Sequence, residues 1–442
     1  METKKVFRLN ALLEENTLKL DERDKRFVAE LVYGVTRWKR SLDLIIDKLS
    51  KTPIQKINAP TLVLLRMGLY QIFEMSKTPL SAAVNETVNL ARTHHKARHF
   101  AGFINGILRT SIRKTGADKE RKNLADAIAP LIDNNSHASL AAGLKSSFPD
   151  WIAEKWINQF GLETAQRIMQ KSNERAPVFF RLNDLKISPA EFAKNLAEWE
   201  MEAEPVNFAN GMWHLIKGKI TPASEPVLKG FIQPQDVSSF LAANILSVKP
   251  GDIVADICCG KGIKSGALAS SMQNQGFIFC VDKSGGQLEN LVTNMKRLGV
   301  SITQPVMADT AKSWPTKKMF NKIMIDAPCS GTGTLRRHPE GKWNKTPELV
   351  KDMTKIQRAI LQTAVKHLAP NGSLVYSVCS IEPEEGTQII DSILTNEPTL
   401  KRDKIKTSGT ENFITPKGDL LILPGNNNMD GFYTALITKT AK

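Results

Sequence analysis

The sequence predicts a multidomain protein with an all-helical N-terminal domain, a small α+β module and a C-terminal α/β domain carrying an open Rossmann-like sheet. Three observations carry this expectation. The 442 residues exceed what one ordinary core accommodates. Residues up to about 114 repeat apolar positions at helical spacing, and from about 226 strand-like and helix-like segments alternate. The expected boundaries are 1–130, 141–225 and 226–442.

In the first segment Phe27, Leu31, Val35 and Trp38 fall on one helical face, as do Leu62, Leu65, Leu69 and Phe73. No run there alternates as a strand does. Residues 115–140 are polar and read as a linker with one short helix. In the second segment, WIAEKWINQFGLETAQRIMQKSN predicts two helices and VFFRLNDLK a strand with a basic end.

The third segment offers five strands at 253–258, 276–282, 302–309, 322–328 and 372–380. Between the last two lies a helix. Thr346 caps it, Pro347 fits its first turn, and Leu349, Met353, Ile356, Ile360, Ala364 and Leu368 form its apolar stripe. The turn Pro370-Asn371-Gly372 ends it.

The net charge of +15 favours a polyanionic partner. Its distribution sharpens that, because residues 1–114 hold 21 Lys and Arg against 11 Asp and Glu, two-thirds of the excess. Five cysteines without a C-x-x-C pair exclude a disulfide framework or a zinc knuckle, and no metal is expected. METKKVFRLNALLEEN has no apolar signal core, and the most apolar stretch, 61–73, is interrupted by Arg66 and too short to span a bilayer. A monomeric cytoplasmic protein with free thiols and no membrane association follows as the expectation.

Ligands of open α/β sheets bind at the carboxyl ends of the strands. The first strand there ends in DICCGKGIKSGALA, a glycine-containing turn that opens into a helix with unpaired N–H groups. It nearly fits the dinucleotide fingerprint, with Ser265 at the third glycine position, and it does not fit a Walker loop. Asp282, 26 residues after Asp256, suits a ribose diol, and Asp309 suits a place beside the adenine. Asp residues at strand ends also cap turns, so the succession of three counts for more than any one.

The fourth and fifth strands deliver DAPCSGTGTLRRHPEGKWN and YSVCS followed by IEPEE. A lone strand cysteine is ordinarily a buried small hydrophobe, which is the expectation for Cys280. Cys329 and Cys379 instead flank one crevice, beside Asp326, Gly331 and Ser380.

The strings QDVSS (235–239), DICCGKGIKS (256–265), DAPCSGTGTLRRHPEGKW (326–343), YSVCS (376–380) with PEE (383–385), and DGFYTALI (430–437) resemble the motifs of RNA cytosine-5 methyltransferases of the RsmB/NOP family. The resemblance implies that Cys379 is the nucleophile, that Cys329 assists release of methylated RNA, and that Asp326 touches the cytosine. It implies S-adenosyl-L-methionine as cofactor, held by Cys258, Cys259, Gly260, Lys261, Gly262, Ile263, Lys264, Asp282, Asp309 and Asp326. The two cysteines suit that chemistry. A thiolate added to C6 of cytosine makes C5 nucleophilic, and its pKa must be lowered by nearby positive charge, for which Lys264, Arg336 and Arg337 are candidates. The chain departs from the family turn at Lys261, in place of Pro, and at Ile263, in place of Gly, where a positive φ would be costly.

The strings at 21–43, 79–92 and 103–109 resemble the NusB-like helical domain of the family's small-subunit rRNA branch, and RLN at 181–183 resembles a basic strand of its small RNA-binding module. Arg23, Arg26, Arg37, Lys39, Arg40, Arg181, Arg336 and Arg337 are then the expected RNA contacts. The reading is methylation of carbon 5 of a 16S-type rRNA cytosine. The alternatives are a tRNA cytosine-5 methyltransferase, a non-catalytic rRNA-binding assembly factor, and a nicotinamide oxidoreductase, which leaves both cysteines unexplained.

Overall fold

The structure is a computed structural model describing residues 9–120, 122–133 and 136–441. The first eight residues, half of the N-terminal stretch expected to lack a signal core, lie outside the described residues. No described helix is long and apolar enough to cross a membrane. The chain forms two compact units. One extends to Glu174 and also takes in Arg337–Asn344; the other comprises Arg175–Arg336 and the chain from Lys345 onward.

The first unit is helical, as expected: α1 (Leu9–Thr17), α2 (Glu22–Arg37), α3 (Lys39–Leu49), α4 (Ala59–Glu74), α5 (Leu80–Thr93), α6 (Ala101–Thr115), α7 (Leu124–Ile128), α8 (Ala138–Lys145), α9 (Asp150–Phe160) and α10 (Leu162–Lys171). Local chemistry sets the starts. Asp21 accepts from the Asp24 N–H ahead of α2, and Asn58 accepts from the Thr61 N–H ahead of α4, with Pro60 in its first turn. Leu42, Ile46, Leu65, Leu69, Ile104 and Leu108 form the core.

Two expectations change here. Ala117, Leu124, Ala127 and Ile128 are buried in that same core, so most of 115–140 folds onto the helices instead of spanning a gap. The apolar run is too short to show a period. The two expected helices α9 and α10 form, but they pack in the first unit, so the segment 141–225 is divided between the units.

The segment Arg337–Asn344 is anchored in the first unit by Lys342, which is 1% exposed. Its ammonium donates to the Arg37 carbonyl (3.0 Å), the Ser147 carbonyl (3.2 Å) and Asn173 Oδ1 (2.6 Å), and lies 3.9 Å from the Phe148 ring centroid. All three protons are used, as burial of an ammonium demands. The Trp343 indole donates to the Thr36 carbonyl, with Lys39 Nζ over its ring.

The second unit begins with β1 (Val178–Leu182), α11 (Pro189–Asn195), β2 (Glu202–Pro205), β3 (Met212–Lys217), α12 (Glu225–Leu228) and β4 (Ile232–Pro234). These strands form an antiparallel sheet in the order β2-β3-β1-β4, packed on Phe192 and Trp213. There follow α13 (Val237–Ile245), β5 (Ile253–Ile257), α14 (Ile263–Ser271), β6 (Phe277–Asp282), α15 (Gly285–Leu298), β7 (Thr303–Met307) and β8 (Phe320–Asp326). The short helix α16 (Gly341–Asn344) belongs to the anchored segment, and the chain ends with α17 (Pro347–Lys366), β9 (Leu368–Val378), α18 (Thr387–Asn396), β10 (Leu400–Asp403), β11 (Leu420–Ile422) and β12 (Phe432–Lys439).

The main sheet runs β10-β12-β9-β8-β5-β6-β7, with β11 paired to β12. Strands β5 to β9 are parallel, whereas β12 joins β9 antiparallel. Alternate residues serve opposite layers. Val254, Cys280, Met324 and Val375 enter one core; Ala255, Val281, Ile323 and Leu374 enter the other. The five expected strands all form, the fifth starting earlier because the Pro370-Asn371-Gly372 turn is absorbed into β9. Strand order reverses beside β5, which is where such sheets open a crevice.

Candidate active site

The β8–β9 pairing sets Asp326 opposite Ser377, so the residues that follow emerge side by side. The Sγ atoms of Cys329 and Cys379 lie 3.1 Å apart, in hydrogen-bond contact and too far for a disulfide. Asp326 Oδ2 accepts from Lys264 Nζ at 2.7 Å, and Oδ1 accepts from the Ser377 hydroxyl at 3.1 Å. Lys264 is 6% exposed, and its ammonium also lies 5.1 Å from the Phe432 ring centroid.

The thiols are held unequally. The bond from Cys329 lowers the Cys379 pKa, helped by the Lys264 and Lys345 ammonium groups against burial and Asp326. The same bond, with burial, pushes the Cys329 thiol well above its ordinary value. One sulfur therefore favours the thiolate while its neighbour keeps the proton and donates it. Lys345 escaped the sequence reading. Its ammonium donates to the Ser330 carbonyl, and a Cβ built on Gly331 would lie 3.4 Å from Lys345 Nζ and 3.9 Å from Cys379 Sγ. Cation and thiol thus both pack close to the Gly331 backbone.

Glu385 also had no assigned role, although the quoted PEE string contained it. Fully buried, it accepts from the Ser330 N–H at 2.7 Å and from Gln357 Nε2 at 3.0 Å, and bonds the Ser330 hydroxyl. It fixes the loop that carries Cys329. Backbone contacts join three of the quoted motifs: the Gly333 N–H donates to the Cys379 carbonyl, and the Gly431 N–H to the Gly333 carbonyl. A Cβ on Gly333 would fall 2.1 Å from the Gly431 oxygen, so this approach requires glycine.

The turn after β5 takes positive φ at Cys258 (60°), Gly260 (53°) and Gly262 (78°). Ile263 is the first residue of α14 and has no left-handed conformation, so the strain expected there does not arise; Gly262 carries it as N-cap. The Gly260 and Ser284 N–H groups donate to the two Asp282 oxygens, each at 2.9 Å. A Cβ on Gly260 would meet nothing within 4 Å, so the backbone lines open space. Cys259 is buried, and burial beside Asp282 raises the Cys258 thiol to about 12, so neither suits a nucleophile. Lys261 is exposed, and its carbonyl accepts from Asn294. Asp309 lies two residues past β7 and accepts from the Ala311 N–H. Asp256 is fully buried, accepts from the Ser265 hydroxyl at 2.5 Å, and is pushed up by burial to about 7.

The expected RNA contacts divide. Arg23 and Arg26 are exposed. Arg181 (2% exposed) and Arg336 (3%) are interior, which corrects their expected role, since a buried guanidinium cannot meet a phosphate. Arg336 serves the Asn428 carbonyl and Asp430 of the DGFY string. Arg40 is likewise committed, to Asp150 and the Phe148 carbonyl. Arg37 is largely buried, with its pKa lowered by that burial, and Lys39 lies over Trp343. Arg337 is half-buried within the anchored segment.

Comparison with known proteins gives three family matches. Residues 243–438 match the 16S rRNA methyltransferase RsmB/F family, 2–113 the NusB family, and 148–217 the ferredoxin-like domain of RsmF/B-like methyltransferases. The chain is 30% identical to a probable ribosomal RNA small subunit methyltransferase B of Synechocystis, covering 94% of this chain and 91% of that protein. It is 29% identical to the protein of the same description from Bacillus subtilis, covering 98% and 94%. A solved methyltransferase homologue from Pyrococcus horikoshii superposes with a TM-score of 0.61 at 28% identity, over 69% of this chain and 99% of that one.

Proposed function

The chain belongs to the 16S rRNA methyltransferase RsmB/F family, and from that premise we propose that it methylates carbon 5 of one cytosine in small-subunit rRNA through a covalent Cys379 adduct. The observation that carries this reading is the 3.1 Å contact of Cys379 with a proton-keeping Cys329, beside the Lys264–Asp326 pair. S-adenosyl-L-methionine, when bound, supplies an electrophilic methyl group. The open, glycine-bearing turn at 258–263 with Asp282 and Asp309 fits such a nucleoside, and those residues would hold it.

The chain's own residues supply the rest. The Cys379 thiolate, stabilised by the Cys329 S–H and by Lys264 and Lys345, adds to C6 and leaves C5 electron-rich. Asp326, held by Lys264 and Ser377, meets the base at its N3 side and orients it. Once C5 has taken the methyl group, a base must remove the C5 proton as the Cys379–C6 bond breaks and the thiolate is regenerated. Cys329, lying against that sulfur, assists this release of the product. The target cytosine must leave its stack to reach Cys379, so an unpaired or loop nucleotide is the substrate. This activity belongs to the cytoplasmic assembly of the small subunit.

Bisulfite mapping of rRNA and tRNA from cells with and without the gene tests the reading. Loss of one protected cytosine in small-subunit rRNA is expected. An unchanged small-subunit rRNA, or loss confined to tRNA, would contradict it.

A further inference from the structure

Between Glu86 and Asp118 the chain runs 31 residues without an acidic side chain, yet holds six cations and three of its seven histidines. That run folds as the end of α5, a tight connection and α6. The cations Arg92, Lys96, Arg98, Arg109, Arg113 and Lys114 are all exposed. None of them enters an ion pair among the described residues. Among the described residues, Arg92, Arg98 and Arg109 hydrogen-bond to neutral neighbours, namely Asn89, His99 and Asn105. The charge is therefore left for something outside the unit.

The connection is preformed. Ala97 is fully buried, and the Ala97 and Arg98 N–H groups both donate to the His94 carbonyl at 2.9 Å. His94 and His95 stack with ring centroids 5.0 Å apart, and Phe100, at the end of the connection, is 41% exposed. On α6, Ile104, Ile107, Leu108 and Ser111 face the core. Gly102, Gly106, Arg109 and Arg113 recur three and four residues apart on the opposite side. A Cβ at either glycine would meet nothing, so packing does not explain them, and they leave a low floor beside the arginines.

We propose that this acid-free stretch, from the end of α5 through α6, is the surface on which the helical unit binds the phosphate backbone of the rRNA substrate. The inference rests on the rRNA reading above. It also relocates the contact, since four of the cations expected earlier are taken up inside the protein: Arg37, Arg40, Arg181 and Arg336. Unneutralised guanidinium and ammonium groups release counterions from phosphates, and exposed imidazole and phenyl rings offer stacking to unpaired bases.

The test measures binding of the full chain to a small-subunit rRNA fragment across a salt series. Arg109→Gln with Arg113→Gln should weaken binding about tenfold and reduce the slope of log affinity against log salt by about 1.5, two phosphate contacts being lost. The conservative pair Arg109→Lys with Arg113→Lys should restore most of it. Lys48→Gln with Lys51→Gln removes equal charge from another exposed stretch and should change affinity less than about twofold. Equal losses in both neutral pairs, or no loss in the first, would overturn the proposal while leaving methylation by the wild-type protein intact. A wild-type chain without salt-dependent rRNA binding would overturn the proposal and the rRNA reading together.

Discussion

Cys329 and Cys379 share one hydrogen bond, 3.1 Å between sulfurs, and that bond divides their acidity in opposite directions. The first expected consequence is a split in their reaction with iodoacetamide. Cys379, with its pKa lowered, should gain reactivity at lower pH than an ordinary thiol, and Cys329 only well above it. Replacing Lys345 by Gln removes one stabilising cation, so the Cys379 midpoint should rise by up to about one pH unit. Peptide-resolved alkylation against pH checks both. Coincident midpoints, or a Lys345→Gln midpoint that stays put, would contradict the division of roles.

Asp256 links the cofactor crevice to stability. Its carboxyl takes up a proton near pH 7 when folded, and at about 3.9 when unfolded. The native state therefore binds more protons between those values, and stability falls as pH rises through that window, by on the order of 4 kcal/mol at most. Asp256→Asn should remove this slope. Urea unfolding at pH 4.5 and 7.5 should show the variant losing less stability than the wild type over that interval. Equal losses would mean that Asp256 is ionised throughout.

Lys342 is a costly side chain to remove from the helical unit. Lys342→Ala strands the Arg37 and Ser147 carbonyls and Asn173 Oδ1, and leaves a cavity over Phe148. A loss of about 3 kcal/mol or more is expected in denaturant unfolding. A loss under about 1 kcal/mol would place the ammonium in solvent instead.

Ile263 occupies a helical position, so restoring the family glycine there should not help the cofactor. Ile263→Gly is expected to lower stability by up to about 1 kcal/mol and to leave S-adenosyl-L-methionine affinity unimproved in calorimetric titration. Tighter binding by the variant would show that the isoleucine side chain obstructs the site.

These outcomes also mark what the sequence carried. Strand ends were legible because parallel strands buried on both faces read as continuous apolar runs, and Asp282, Asp326 and Cys379 fall where those runs stop. The two cysteines could be paired because neighbouring strands of such a sheet end together. Charge partners were not legible. Arg336 finds Asp430, 94 residues away, and Arg40 finds Asp150, 110 residues away, and no local pattern announces either pairing. The turn at 258–263 was read one residue out of phase. The sequence comparison assigned the left-handed position to Ile263, whereas the chain gives it to Gly262 and adds one at Cys258. Lys345 was missed because it stands just past the quoted motif, and only the fold brings it back to Ser330.

The most direct test of the central claim is a denaturing gel of protein incubated with labelled rRNA fragment and S-adenosyl-L-methionine, run with a methyl-transfer assay. Cys379→Ala should show no turnover and no adduct. Cys329→Ala should accumulate a slow covalent protein–RNA band, because the adduct forms but is not released. Turnover retained by Cys379→Ala would contradict the account, since another group would then have to be the nucleophile.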